Sequence, residues 1–94
     1  MTFVRRYRLE TTPDRAPALI AAMRELLAAM ADISGFAAGE IMQVAGEEGV
    51  WFLDERWVDQ AAHAASGPHL PTARLKALMG ALSAPPKKTD LVVL

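Results

Sequence analysis

The chain has no cysteine. That excludes disulfides, thiolate metal sites, iron–sulfur clusters and a cysteine nucleophile together, and it fits a cytoplasmic protein. Asparagine is missing as well, and histidine occurs only as His63 and His69. These two flank a Gly67-Pro68 break instead of forming the i, i+4 pair of a helical metal site, and no third ligand is evident. No metal is therefore expected. There is no GxGxxG or P-loop to hold a nucleotide, and Ser66 lacks the Gly-x-Ser-x-Gly elbow of a hydrolase. Neither sign of charge dominates: ten basic and eleven acidic residues leave a net charge of −1. Neither forms a long block, which argues against nucleic acid or an anionic membrane as partner. The longest apolar segment, Ala16 to Met30, carries Arg24 and Glu25 in mid-span, so a membrane-crossing helix is not expected. Arg5, Arg6, Arg8 and Glu10 interrupt any signal-peptide run at the N-terminus, and a soluble protein is expected.

What is present is a globular composition, 52% hydrophobic and 22% charged, over 94 residues. That length makes a single domain, 1–94, with a modest core, for which association is a common remedy. Thr2 to Glu10 reads as a strand with Phe3, Arg5, Tyr7 and Leu9 on one face and Val4, Arg6 and Arg8 on the other. Apolar residues then recur at Ala16, Leu19, Ile20, Met23, Leu26, Leu27, Met30 and Ile33, the spacing of a helix that buries one stripe. Asp14 suits its N-cap, Pro17 the third helical position, and Gly35 the left-handed residue after its last turn. The spacing predicts a helix from Arg15 to Ile33.

Phe36 to Ala45 and Val50 to Trp57 follow as strands joined through a Gly46-Glu47-Glu48-Gly49 hairpin. In the second, Trp51, Leu53, Glu55 and Trp57 share one side, and Val50, Phe52, Asp54 and Arg56 the other. Asp59 caps a short helix from Gln60 to Ala65, which Gly67-Pro68 ends. Another begins at Pro71 or Thr72, carries Leu75, Leu78, Met79 and Leu82 on one stripe, and stops at Pro85-Pro86. Thr89 to Leu94 is a last apolar strand. The order β-α-β-β-α-α-β is the split pattern of an α+β, ferredoxin-like fold, a four-stranded antiparallel sheet with helices on one face. Apolar residues on the bare face would expose a large patch, so a homodimer packed sheet against sheet is expected.

The run LDERWVDQAAHAASGPHL, Leu53 to Leu70, resembles the signature of the antibiotic biosynthesis monooxygenase domain family: a strand ending in Glu-x-Trp, an acidic residue, an alanine-rich helical turn, then His-x-x-Ser or Gly-Pro-His. The segment from Arg24 to Gly35 is similar to that family's first helix and its terminal glycine. The resemblance implies a dimeric α+β barrel. It also implies oxygenation of an electron-rich phenol, quinol or polycyclic aromatic by O2 with no metal, flavin or other cofactor. Active members typically hold an asparagine in the pocket, which this chain cannot supply. A non-catalytic, small-molecule-binding or stress-associated dimer on the same scaffold is the alternative, and haem binding with degradation a weaker one.

Oxygenation without a cofactor needs a base or hydrogen-bond donor that favours the substrate anion, an apolar pocket, and aromatic surface to align a planar ring. His69 and His63 are the candidate catalytic residues, His69 matching the Gly-Pro-His element. Trp57, Tyr7, Trp51, Phe36 and Arg5 are candidates for holding the substrate, with Met23, Met30 and Met42 as adaptable lining. Each has a plainer reading: core packing for Trp57, a capping or carbonyl contact for His69, a half-exposed place for His63, a sheet edge for Tyr7. For Arg5 the plainer reading, a buried ion pair with Glu55, is preferred to binding a substrate anion.

Overall fold

The computed structural model describes all residues, 1–94. The elements are β1 (Phe3–Glu10), α1 (Ala16–Met30), β2 (Phe36–Gln43), β3 (Val50–Trp57), α2 (Gln60–Ala65), a 3-10 turn (Gly67–His69), α3 (Thr72–Gly80) and β4 (Lys87–Val92). All strand pairs are antiparallel and the sheet order is β2-β3-β1-β4. This is the expected α+β, ferredoxin-like arrangement.

Directly paired residues of antiparallel strands share a face. The β1–β3 register sets Phe3 against Trp57, Arg5 against Glu55, Tyr7 against Leu53 and Leu9 against Trp51. The apolar members of that set are buried, and they join Leu19, Ala22, Met23, Leu26 and Met30 of α1 and Leu78 of α3 in one core. Each large side chain so placed contributes roughly 1.5–3 kcal/mol. A Cβ at Gly39 would stand 2.3 Å from a methyl of Leu27, so glycine there lets α1 lie close on β2. At the far end of β1, the Thr11 hydroxyl donates to the Ala81 carbonyl at 2.5 Å and tethers the end of α3.

Besides strand ends that shift by one or two residues, such as β2 stopping at Gln43 and β4 at Val92, three differences from the sequence reading bear on the site. First, α1 starts one residue later than expected: Arg15 is its N-cap without a side-chain bond, Asp14 is not, and Pro17 occupies the second helical position. Second, α1 ends at Met30, and single turns closed by Ile33 N–H on Met30 O and Phe36 N–H on Ile33 O carry the chain to Gly35, whose φ is +83°. Third, β4 begins at Lys87, two residues before the apolar run that marks it in the sequence, because Lys87 and Lys88 pair with Arg8 and Tyr7.

The outer sheet face is mixed, not uniformly apolar. Val4, Phe52 and Leu91 share it with a bidentate ion pair in which Arg6 donates to both oxygens of Asp54 at 2.8 and 2.9 Å. The Arg6 guanidinium also lies 5.2 Å from the centroid of Phe52.

Candidate active site

Between the helix-facing side of the sheet and the helices lies a cavity of about 350 Å³. Its two sides differ in chemistry. Three strands supply Arg5 and Tyr7 (β1), Glu55 (β3) and Lys88 (β4), whereas Leu26 and Met30 of α1 and Leu75, Leu78 and Met79 of α3 supply an apolar wall.

His63 enters the cavity from α2. The Asp59 carboxylate accepts from Ala62 N–H at 2.8 Å and starts that helix, and the buried Ser66 hydroxyl donates to the His63 carbonyl at 2.6 Å and ends it. The ring lies 5.0 Å from Phe3 and, edge to face, 5.4 Å from Trp57. Burial, aided by the positive charge of Arg5, holds the imidazole pKa below its ordinary value, with Asp90 opposing. The ring is thus neutral and able to accept a proton at neutral pH.

Glu55 is 3% exposed. Burial raises its pKa above the usual carboxylate range, against the Trp57 indole N–H, which donates to it at 3.2 Å, and the charges of Arg5 and Lys88. Tyr7 is pushed up in the same direction, first by burial and then by the negative charge of Glu55. The Arg5 guanidinium donates from Nε and Nη2 to the two oxygens of Asp90 at 2.8 and 3.1 Å. The expected ion pair of Arg5 with Glu55 does not form. The two residues do face each other across β1 and β3, but Asp90 faces Arg5 from the opposite strand. Its carboxylate is half-exposed and easier to keep charged than the fully buried Glu55.

Of the residues singled out in the sequence, His63, Tyr7 and Arg5 line the cavity, as does Met30. Trp57 stands behind His63 and Phe36 behind Trp57, the latter two rings edge to face at 5.2 Å. Trp51 is at the other end of the sheet, beside an open groove with Pro13 and Ile20. Met23 is in the core, and Met42 pairs with Phe52 on the outer face. His69 is exposed on the 3-10 turn and does not line the cavity, since that turn carries its ring to the surface. Lys88, Asp90 and Met79 went unrecognised as site residues. Extending β4 to Lys88 would have revealed the first two, because strand alternation puts both on the face of Tyr7 and Arg5.

The sequence profile of antibiotic biosynthesis monooxygenases matches residues 2–70, from β1 through the 3-10 turn. The chain belongs to that family. Solved structures superpose over nearly its whole length. One, from Caulobacter crescentus and assigned to the same monooxygenases, has a TM-score of 0.86 at 19% identity over 99% of this chain and 90% of its own. SnoaB, a cofactor-independent oxygenase from Streptomyces nogalater, has 0.82 at 15% identity over 98% and 92%. A Mycobacterium tuberculosis protein has 0.78 at 21% identity over 100% and 96%. At such identities the likeness is one of fold. No curated protein sequence matches the chain. The family match stops before α3 and β4, which carry Leu75, Met79 and Lys88 of the cavity lining.

Proposed function

We propose that the chain oxidises an electron-rich phenol, quinol or polycyclic aromatic with O2 inside this cavity, without a cofactor, and that His63 takes the substrate's proton. The observation that supports this most is an imidazole that lines the cavity opposite an apolar wall, biased by burial toward its neutral form, in a member of a monooxygenase family. About 350 Å³ lies at the small end of ligand pockets, suited to a few fused rings and tight for a macrocycle such as haem.

The chemistry asks little of the protein. Removing a proton makes an anion that can pass one electron to O2. Joining of the two radicals gives a peroxide anion on the ring carbon, the proton held by His63 returns to it to make the hydroperoxide, and loss of water with the hydrogen on that carbon leaves a carbonyl. One oxygen atom stays on the product, the other leaves as water, and no outside reductant is consumed. His63 supplies the base, and the apolar wall keeps water from the radicals.

The test is oxygen uptake with a panel of hydroquinones and anthrones. His63→Ala is expected to lower the rate by about 100-fold, the usual size of a general-base contribution. Because burial depresses the His63 pKa, the wild-type rate should hold through neutrality and fall only below the pH at which an ordinary histidine titrates. His69→Ala should change little. Loss in His69→Ala with retention in His63→Ala would reassign the base. No uptake by the wild type would leave a binding domain in place of an enzyme.

The working unit we propose is a homodimer that covers the outer face around Phe52 and Leu91. Family membership and the apolar residues of that face support it. Sedimentation over a dilution series should give twice the mass of one chain, and a mass of one chain at micromolar concentration would refute it.

A further inference from the structure

Opposite charges at the cavity do not cancel within the sheet. The β1–β4 register sets Arg5 against Asp90 and Tyr7 against Lys88. The first pair neutralises itself through two hydrogen bonds. The second sets an ammonium beside a phenol, and Lys88 makes no ion pair. The remaining carboxyl on this wall, Glu55, is buried, accepts the Trp57 indole N–H, and is biased toward its neutral form. The lining residues of α1 and α3 are all apolar, and apart from His63 and Ser66, whose hydroxyl is taken by the His63 carbonyl, the polar partners for a charged group on a bound molecule lie on the strand side.

We propose that the cavity takes its aromatic ligand as an oxyanion, an aryl carboxylate or an aryl-oxide, with the negative oxygen seated against Lys88 and the Tyr7 hydroxyl and the rings against Leu75 and Met79. A lysine is suited to this place because its ammonium is a point charge on a flexible stem, able to follow oxygens of either geometry. The inference deepens the oxygenase reading by giving the substrate a charge and an orientation, the proton that His63 takes being a second one, from a ring carbon or another hydroxyl. The ring end lies toward α3, and the oxygen lies on the wall shared with Arg5 and Glu55. It rests on that reading for the ligand's fate but not for its binding.

The experiment is equilibrium binding in the dark without turnover, followed by quenching of tryptophan fluorescence and by calorimetry. One arm compares naphthalene-2-carboxylate with the neutral naphthalene-2-carboxamide. The other compares a dinitronaphtholate, ionised at neutral pH, with its methyl ether. At least one anion is expected to bind about tenfold more tightly than its neutral counterpart, the size of one charge-assisted contact. Lys88→Met should reduce that preference to about threefold or less, and Lys88→Arg should keep most of it. The arm that loses its preference identifies the oxyanion as carboxylate or aryl-oxide. Equal binding of anion and neutral probe by the wild type, a preference that survives Lys88→Met in a folded variant, or no binding of any probe would overturn the proposal. Anion binding without oxygen uptake on any phenol would leave the oxyanion site standing and remove the oxygenase reading alone.

Discussion

Trp57→Ala should cost about 3–5 kcal/mol of folding stability, the range for emptying a buried aromatic site. Trp57 is fully buried where three parts of the molecule meet. It ends β3, its ring packs edge to face with Phe36 of β2 and with His63 of α2, and its N–H satisfies the buried Glu55. Truncation opens a cavity and also leaves Glu55 without that donor, so the cost belongs at the upper end. A domain of this size holds roughly 5–14 kcal/mol in total, so the variant would lose a third or more of its stability. Urea denaturation followed by circular dichroism measures it, and a Tm lowered by at least about 12 °C is the thermal counterpart. Trp57→Phe keeps most of the volume and loses the N–H, so its cost should fall well below that of alanine. An alanine variant within about 1 kcal/mol of wild type would mean that this corner repacks freely.

Gly35→Val should be nearly as damaging, by about 3 kcal/mol or more, for a different reason. Gly35 has φ +83°, which side chains with a branched Cβ avoid. A Cβ there would stand 2.4 Å from the Ala62 Cβ and 3.4 Å from a Val58 methyl. The Gly35 carbonyl meanwhile accepts from Val58 N–H at 2.9 Å, so the chain after α1 is tied to the junction of β3 and α2. Relief of the clash would push α2, and His63 with it, away from the cavity. Gly35→Ala should cost less, and adding Ala62→Gly should return its steric share but not its backbone share. Chemical denaturation of the two single variants and the double variant separates the two. No rescue in the double variant would show that the backbone alone sets the cost.

Much of this arrangement is legible in the sequence because local signals agree with the global fold. Alternation groups Phe3 with Tyr7 on one face of β1 and Leu53 with Trp57 on one face of β3, and the register brings the two groups to the same side of the sheet. Asp59 is followed by a helix and caps it, and Gly35 takes the left-handed turn after α1. Family resemblance carried by Leu53 to Leu70 is matched by the profile and by the superposed structures. The misses share a cause. Which partner a charged side chain takes depends on cross-strand register, and no local pattern records it. Arg5 has Glu55 on one side and Asp90 on the other, and desolvation decides between them. Lys87 and Lys88 look like linker after Pro85-Pro86, yet a strand at a sheet edge can begin with charged residues when its partner strand is already in place. Asp14, a good cap by type, is displaced by one residue, in a turn where the Thr12 carbonyl accepts from Arg15 N–H and Ala16 N–H. His69 matches a motif in sequence, but a single 3-10 turn through Pro68 is enough to point a side chain outward.

The split between a polar sheet wall and an apolar helical wall makes shape and charge separable properties in this protein. Under the oxyanion proposal, changing Leu75 or Met79 for a smaller or larger apolar side chain would alter which ring systems fit, without disturbing the groups on the strands. Exchanging Lys88 for a neutral side chain of similar length would alter which charge is welcome and leave the space nearly unchanged. A descendant of this chain could then move to a new molecule in single steps, one wall at a time.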